Sequence, residues 1–335
     1  MTNQPCKNTT LLIGGLTLLT AALFVWALAA GPAGLTLTEV FRALSGHGFS
    51  AADLIVREIR LPRALLAILI GGSLGLSGAC LQGWLKNPLA EPGVLGVSGG
   101  AVLGAVTAFY TGYAALFPIA LPLGGLAGAL LAVLFLLLLS GFSGTTATLI
   151  LAGVAVNTLA FAATALALNF SHNPYAALEI VFWQMGSLAD RGFDHVWLAL
   201  PFILSGCILL LSTGRALNAL SLGDDTAASL GIHLGWLRWR LVIGTALCVG
   251  AGVAVAGSIG FVGLVVPHLL RPLTRHEPGR LLVPSMLGGA ALLLAADLAV
   301  RLLPAVSELK IGVLTSLIGA PFFLVLILRG RREAL

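Results

Sequence analysis

Residues 60–100 read RLPRALLAILIGGSLGLSGACLQGWLKNPLAEPGVLGVSGG. Positions 64–84 carry no charge and run for about 20 residues, the length an α-helix needs to cross a hydrocarbon core about 30 Å thick. Arg60 and Arg63 stand at the start of this run, and Lys86 follows its end. Asn87-Pro88 closes it, because the residue before a proline disfavours the α conformation. The apolar run is continuous rather than alternating at period two, so it reads as a membrane helix and not as a strand.

The rest of the chain has the same character. Of its 335 residues, 58% are hydrophobic and 9% charged, with a mean hydropathy of +1.03. Soluble domains carry about 25% charged residues, so this chain has too little polar surface to cover itself in water. Its solvent must be largely lipid. Apolar windows of similar length place spans at about 10–30, 64–84, 94–112, 115–140, 147–169, 194–213, 239–257, 262–273, 281–303 and 309–329. The prediction is therefore an all-α polytopic protein of about ten spans, one membrane domain over 1–335. The 262–273 segment is the shortest. The 31–63 connection has room for a short helix. The stretch Leu11–Ala30 follows Lys7 and ends in Ala27-Leu28-Ala29, which also fits a cleaved signal. Its length exceeds a signal core of roughly 7–15 residues, so it reads as the first span.

With the N-terminus inside, eleven of the 18 Lys and Arg fall on inner connections and seven on outer ones, a bias that supports this orientation. The outer exceptions gather at Arg57, Arg60 and Arg63 and call for a specific reason. The net charge of +5 does not point to nucleic acid, since the basic residues are scattered at the ends of apolar runs. Cys80, Cys207 and Cys248 lie inside apolar runs without a CxxC pair and read as small buried hydrophobes, not metal ligands. The inner connection 214–238, GRALNALSLGDDTAASLGIHLGWLR, is mildly apolar and broken by Gly223, Gly231 and Gly235. It reads either as one or two short helices forming a docking surface or as a loop folded beneath its own bundle.

Residues 60–100, with GSIGFVGLVVPHLLR at 257–271, AADLAVR at 295–301 and ELKIGVLTSLIGAPFF at 308–323, strongly resemble the FecCD family of importer permeases. The resemblance extends from about residue 11 to 330. It implies the type II fold of ATP-binding-cassette importers, with ten helices per subunit and two subunits, here two copies, around one pathway. It also implies two separate ATPase subunits, a periplasmic binding protein, a bacterial inner-membrane location, and a cargo such as siderophore-iron, haem or cobalamin. It assigns Leu220, Gly223, Ala227, Leu230 and Gly231 to helices that dock on the ATPase. It gives Arg60, Arg63 and Arg301 to the outer face, where guanidinium would meet carboxylates of the binding protein. Asn87 and Leu89 fall in a cytoplasmic gate with Thr146 and Ala147, where Ala147 lacks the hydroxyl of the family's Thr-Ser pair.

The residues add one independent constraint. A phosphate-cradling loop needs G-x-x-x-x-G-K-[ST]. The three lysines, Lys7, Lys86 and Lys310, all lack a preceding glycine. The chain is thus expected not to be an enzyme and to hold no cofactor, with ATP and magnesium on a partner. Asp297, four residues before Arg301, is read as half of a structural i,i+4 ion pair. His268 is assigned to packing at a helix end, and Glu308 to the start of the last span. Two other readings stay open. Gly96-Val97-Ser98-Gly99 spells a short protease-like G-x-S-G, with His268 as a base, and Asp297 could serve an ion-coupled carrier.

Overall fold

The computed structural model describes residues 4–333 apart from 32, 47–49, 114–116, 118, 142–145, 171–173 and 304–308. Glu308 lies outside the described residues. All regular structure among them is helical. The helices are α1 (Gln4–Ala29), α2 (Leu37–Ser45), α3 (Ala51–Leu54), α4 (Leu61–Trp84), α5 (Val97–Tyr110), α6 (Ala120–Ser140), α7 (Thr146–Asn169), α8 (Pro174–Gln184), α9 (Phe193–Leu211), α10 (Gly214–Leu220), α11 (Asp224–Ser229), α12 (Leu234–Ala256), α13 (Val262–Leu270), α14 (Pro278–Leu302) and α15 (Ile311–Glu333).

Seven helical stretches among the described residues are long and apolar enough to cross a bilayer. Two shorter apolar helices, Val97–Tyr110 and Ile311–Val325, stand beside them. Helix α13 has nine residues and rises only about 14 Å, too little to cross alone. The ten expected segments all contain helix, at unequal lengths. Two boundaries move: α12 takes in 234–238, which had been assigned to the inner connection, and α8 forms in a segment read as connection.

Glycine decides how the bundle closes. Helices α5 and α6 run antiparallel, with Gly100 against Gly128 and Gly104 against Gly124. A Cβ on Gly104 would lie 2.1 Å from the Gly124 carbonyl oxygen. Lipid tails give no hydrophobic reason for two apolar helices to associate, so close backbone approach between small residues supplies the contact instead. The same device joins α4 to α14, where Gly71 and Gly75 meet Gly289 and Ser285, and α4 to α13, where Gly78 meets Gly263. Helix α4 is buried along nearly its whole length. In contrast, α7 and α15 leave large apolar side chains such as Leu151 and Leu317 about 70% exposed.

Candidate functional site

The outer end is organised by arginines. Residues Ile55–Arg60 form a π-helix that joins α3 to α4. From this stretch Arg57 Nε donates to the Ala43 carbonyl at 2.6 Å, at the end of α2. Arg60 Nη1 donates to the carbonyls of Leu28 and Ala29 at 2.8 and 2.7 Å, at the end of α1. Arg301 Nη1 reaches Ala27 in the same turn at 3.0 Å. Helix C-termini leave carbonyls without intrahelical partners and carry partial negative charge, so guanidinium is a fitting cap. Arg63 Nε donates to Asp297 Oδ1 at 2.7 Å, and Arg301 Nη2 lies 2.7 Å from Asp297 Oδ2. The carboxylate is fully buried and shared by two cations.

This placement corrects the surface reading of Arg60, Arg63 and Arg301. All three side chains are turned into the protein: Arg60 and Arg63 are buried residues, and the Arg301 side chain is 8% exposed. Capping and the shared carboxylate also account for positive residues gathered on the outer side. Asp297 is held between guanidiniums, an arrangement that leaves no free carboxylate for an ion-coupled carrier.

The inner end is built from the NPLAEP turn and the short helices α10 and α11. Asn87 fixes the turn: its Oδ1 accepts the Leu89 N–H at 2.9 Å, and its carbonyl accepts Ala90 N–H at 3.2 Å. Lys86 Nζ donates to Asp224 Oδ1 at 2.8 Å, tying the turn to the first turn of α11. Gln82, buried in α4, donates to the Gly263 and Leu264 carbonyls at 3.3 and 3.2 Å and accepts from Arg271 at 2.7 Å. Glu91 Oε1 accepts the Phe261 N–H at 2.8 Å, at the start of α13. On the other side, Asn218 Oδ1 accepts Gly279 N–H at 2.7 Å, joining α10 to α14.

The five expected docking residues divide. Gly223 and Gly231 have φ of 116° and 82°, a region open to glycine, and flank α11. Leu230 is 62% exposed. Leu220 and Ala227 lie in α10 and α11 but are buried, holding the helix pair from beneath. Leu222, 67% exposed, supplies apolar surface in their place; its position beside the Gly223 break was the available signal. Neither the Lys86–Asp224 pair nor the Glu91–Phe261 bond could be found from spacing, since each joins residues more than a hundred positions apart.

A family model described as the FecCD transport family matches residues 18–329. The chain belongs to this family. The FecCD chain is 41% identical over 286 residues to the hemin transport system permease protein of Yersinia pestis, covering 82% of this chain and 84% of the relative. It is also 41% identical over 288 residues to the vitamin B12 import system permease protein of Citrobacter koseri, covering 86% and 87%. A solved structure described as an inward-facing conformation of a metal-chelate type ABC transporter superposes with a TM-score of 0.84 at 34% identity, covering 95% of this chain and 98% of that one.

In this FecCD chain Thr146 and Ala147 open α7, both exposed. Helix α7 seats Gly153 against the Val94 carbonyl, next to the NPLAEP turn that carries Asn87 and Leu89. A cleft of about 740 Å³ runs beside α15, lined mostly by apolar groups such as Met185, Val313, Leu317 and Leu324, with Gln184, Ser258 and Ser316 as its polar side chains and no charged residue in its lining. Ser98 lies in the first turn of α5, whereas the His268 ring packs edge-on against Phe322 of α15 at 5.9 Å. Among the described residues no hydrogen bond joins Ser98 to His268, so the protease reading has no dyad.

Proposed function

We propose that two copies of this chain form the membrane pathway of an ATP-driven importer that carries a bulky metal chelate from periplasm to cytoplasm. Siderophore-iron is the first candidate, with haem and cobalamin in the same class. The observation that carries the reading is the match along 18–329 to permeases of hemin and vitamin B12 uptake. Two ATPase subunits dock on α10 and α11 through Gly223, Leu230 and Gly231, while Leu220 and Ala227 brace that surface. Asn87, Leu89, Thr146 and Ala147 form the inner gate. A periplasmic binding protein delivers cargo to the outer face, and the assembly sits in the bacterial inner membrane.

The uncharged, mostly apolar cleft beside α15 suits a large cargo passed along without tight binding, because conduction requires that each site also release. The test is co-expression of the tagged chain with candidate ATPase and binding-protein subunits from the same organism. Uptake into proteoliposomes is then measured for ferric hydroxamate, haemin and cobalamin. ATP-dependent accumulation of at least one is expected. Failure of any ATPase to co-purify, or uptake that persists without ATP and collapses with the proton gradient, overturns the proposal.

A further inference from the structure

The contacts at the inner end form one continuous line, and its members were described separately above. It begins at Asp224 on α11, crosses the ion pair to Lys86, and enters the NPLAEP turn. Lys86 itself has φ of 49°, a left-handed conformation uncommon for a side chain of this kind. Asn87 stiffens the turn through its side chain and its carbonyl. Glu91, at the far end, grips the Phe261 backbone N–H. Phe261 has φ of 67°, again left-handed without being glycine, and strain of this sort persists only where neighbours over-determine it. Its ring lies on α15: a Cβ added at Gly319 would stand 2.3 Å from the ring, so only glycine lets the two meet. Gln82 meanwhile locks α13 to α4, so the turn and the start of α13 move together.

We infer that Lys86 and Glu91 are positioning residues that transmit movement of α11 to α15 through the Phe261 ring. The inference rests on the proposed docking of an ATPase at α11. The two ends of the turn do different work. Lys86 and Asp224 are half-exposed or more, and exposed ion pairs add little to folding; this pair's consequence is directional linkage. Glu91 fixes a backbone N–H at a strained residue, so it sets where the ring points. A push on α11 then arrives at Gly319 of α15, beside Ser316 and Ala320, which line the cleft.

The experiment uses the complete complex with its ATPase, purified in nanodiscs, and needs no cargo. Ser316→Cys places a thiol on the cleft face of α15, and its rate of maleimide labelling is read with and without ATP plus vanadate, above the unsubstituted chain. The nucleotide-dependent change in rate is expected to fall about fivefold in Lys86→Asp, within the range by which contacts on a coupling route modulate it. Lys86→Asp combined with Asp224→Lys restores it to near the starting value, a rescue that a merely structural role would not give. Glu91→Gln keeps an acceptor and retains most of the response; Glu91→Ala loses it. An ATPase that co-purifies with every variant while Lys86→Asp leaves the response intact overturns the inference and leaves docking standing. An ATPase that never co-purifies with the unsubstituted chain removes docking itself, and the inference with it.

Discussion

Replacing Asp297 by Asn keeps the shape of the side chain and removes only its charge. The two arginines that share the carboxylate respond differently. The Asn oxygen can still accept from Arg63 Nε, now 2.7 Å from Oδ1. The amide nitrogen then faces Arg301 Nη2, where Oδ2 stood at 2.7 Å, and sets donor against donor. Removing one partner of a buried ion pair costs about 3–5 kcal/mol, because a charge stays buried beside the lost one. That is a fall of about two to nearly four decades in the ratio of folded to unfolded chain. Arg301→Gln is the matched comparison: it leaves the Arg63–Asp297 bond in place and breaks one ion pair together with the neutral Ala27 contact, whereas Asp297→Asn breaks two ion pairs. The assay is SDS titration of the detergent-purified chain, followed by tryptophan fluorescence. Asp297→Asn is expected to unfold at clearly lower SDS than Arg301→Gln, and both below the unsubstituted chain. If Asp297→Asn unfolds with the unsubstituted protein, or Arg301→Gln proves the more damaging, the shared carboxylate is not the keystone of the outer end.

Reversing both buried charges in Arg60→Glu with Arg63→Glu is expected to strip the chain from the membrane fraction at every ionic strength, read by immunoblot. Normal levels with a salt-sensitive loss of binding-protein docking would return these residues to the surface. Gly78→Ala places a Cβ 1.8 Å from the Gly263 carbonyl oxygen; overpacking of this kind costs about 1–3 kcal/mol or more, and a thermal-stability scan in detergent should show a lower midpoint. Gly223→Trp, at φ of 116°, is expected to reduce co-purification of the ATPase or to raise ATP consumed per cargo carried; unchanged assembly and uptake would count against docking at α11.

Hydropathy located the membrane helices because a span is a local property: about 20 apolar residues in a row must lie in lipid wherever the rest of the chain goes. Helix α8 escaped that reading since its eleven residues include Glu179 and fill only half such a window. The proximity of Asp297 to Arg301 was readable from helical spacing, but the third member, Arg63, lies 234 positions from Asp297, and nothing local announces it. The partners of Arg57 and Arg60 were hidden for a related reason. Their acceptors are backbone carbonyls at the ends of other helices, and carbonyls look alike in every sequence. At the inner end, the glycine breaks around α11 were visible, whereas the inward turn of Leu220 on α10 and of Ala227 on α11 depends on which side of each short helix meets the bundle.

The glycine seam between α5 and α6 limits how the protein can change shape. Backbones in such contact leave no layer of side chains to shear, and a slide of either helix drives a carbonyl into its neighbour. The two must travel as a single plank, and so must α4 with α14. Compliance falls instead to α7 and α15, which carry more outward apolar surface and are each pinned at single glycines, Gly153 against Val94 and Gly312 and Gly319 against Met185 and Phe261. A machine assembled in this way opens by swinging stiff boards about soft edges.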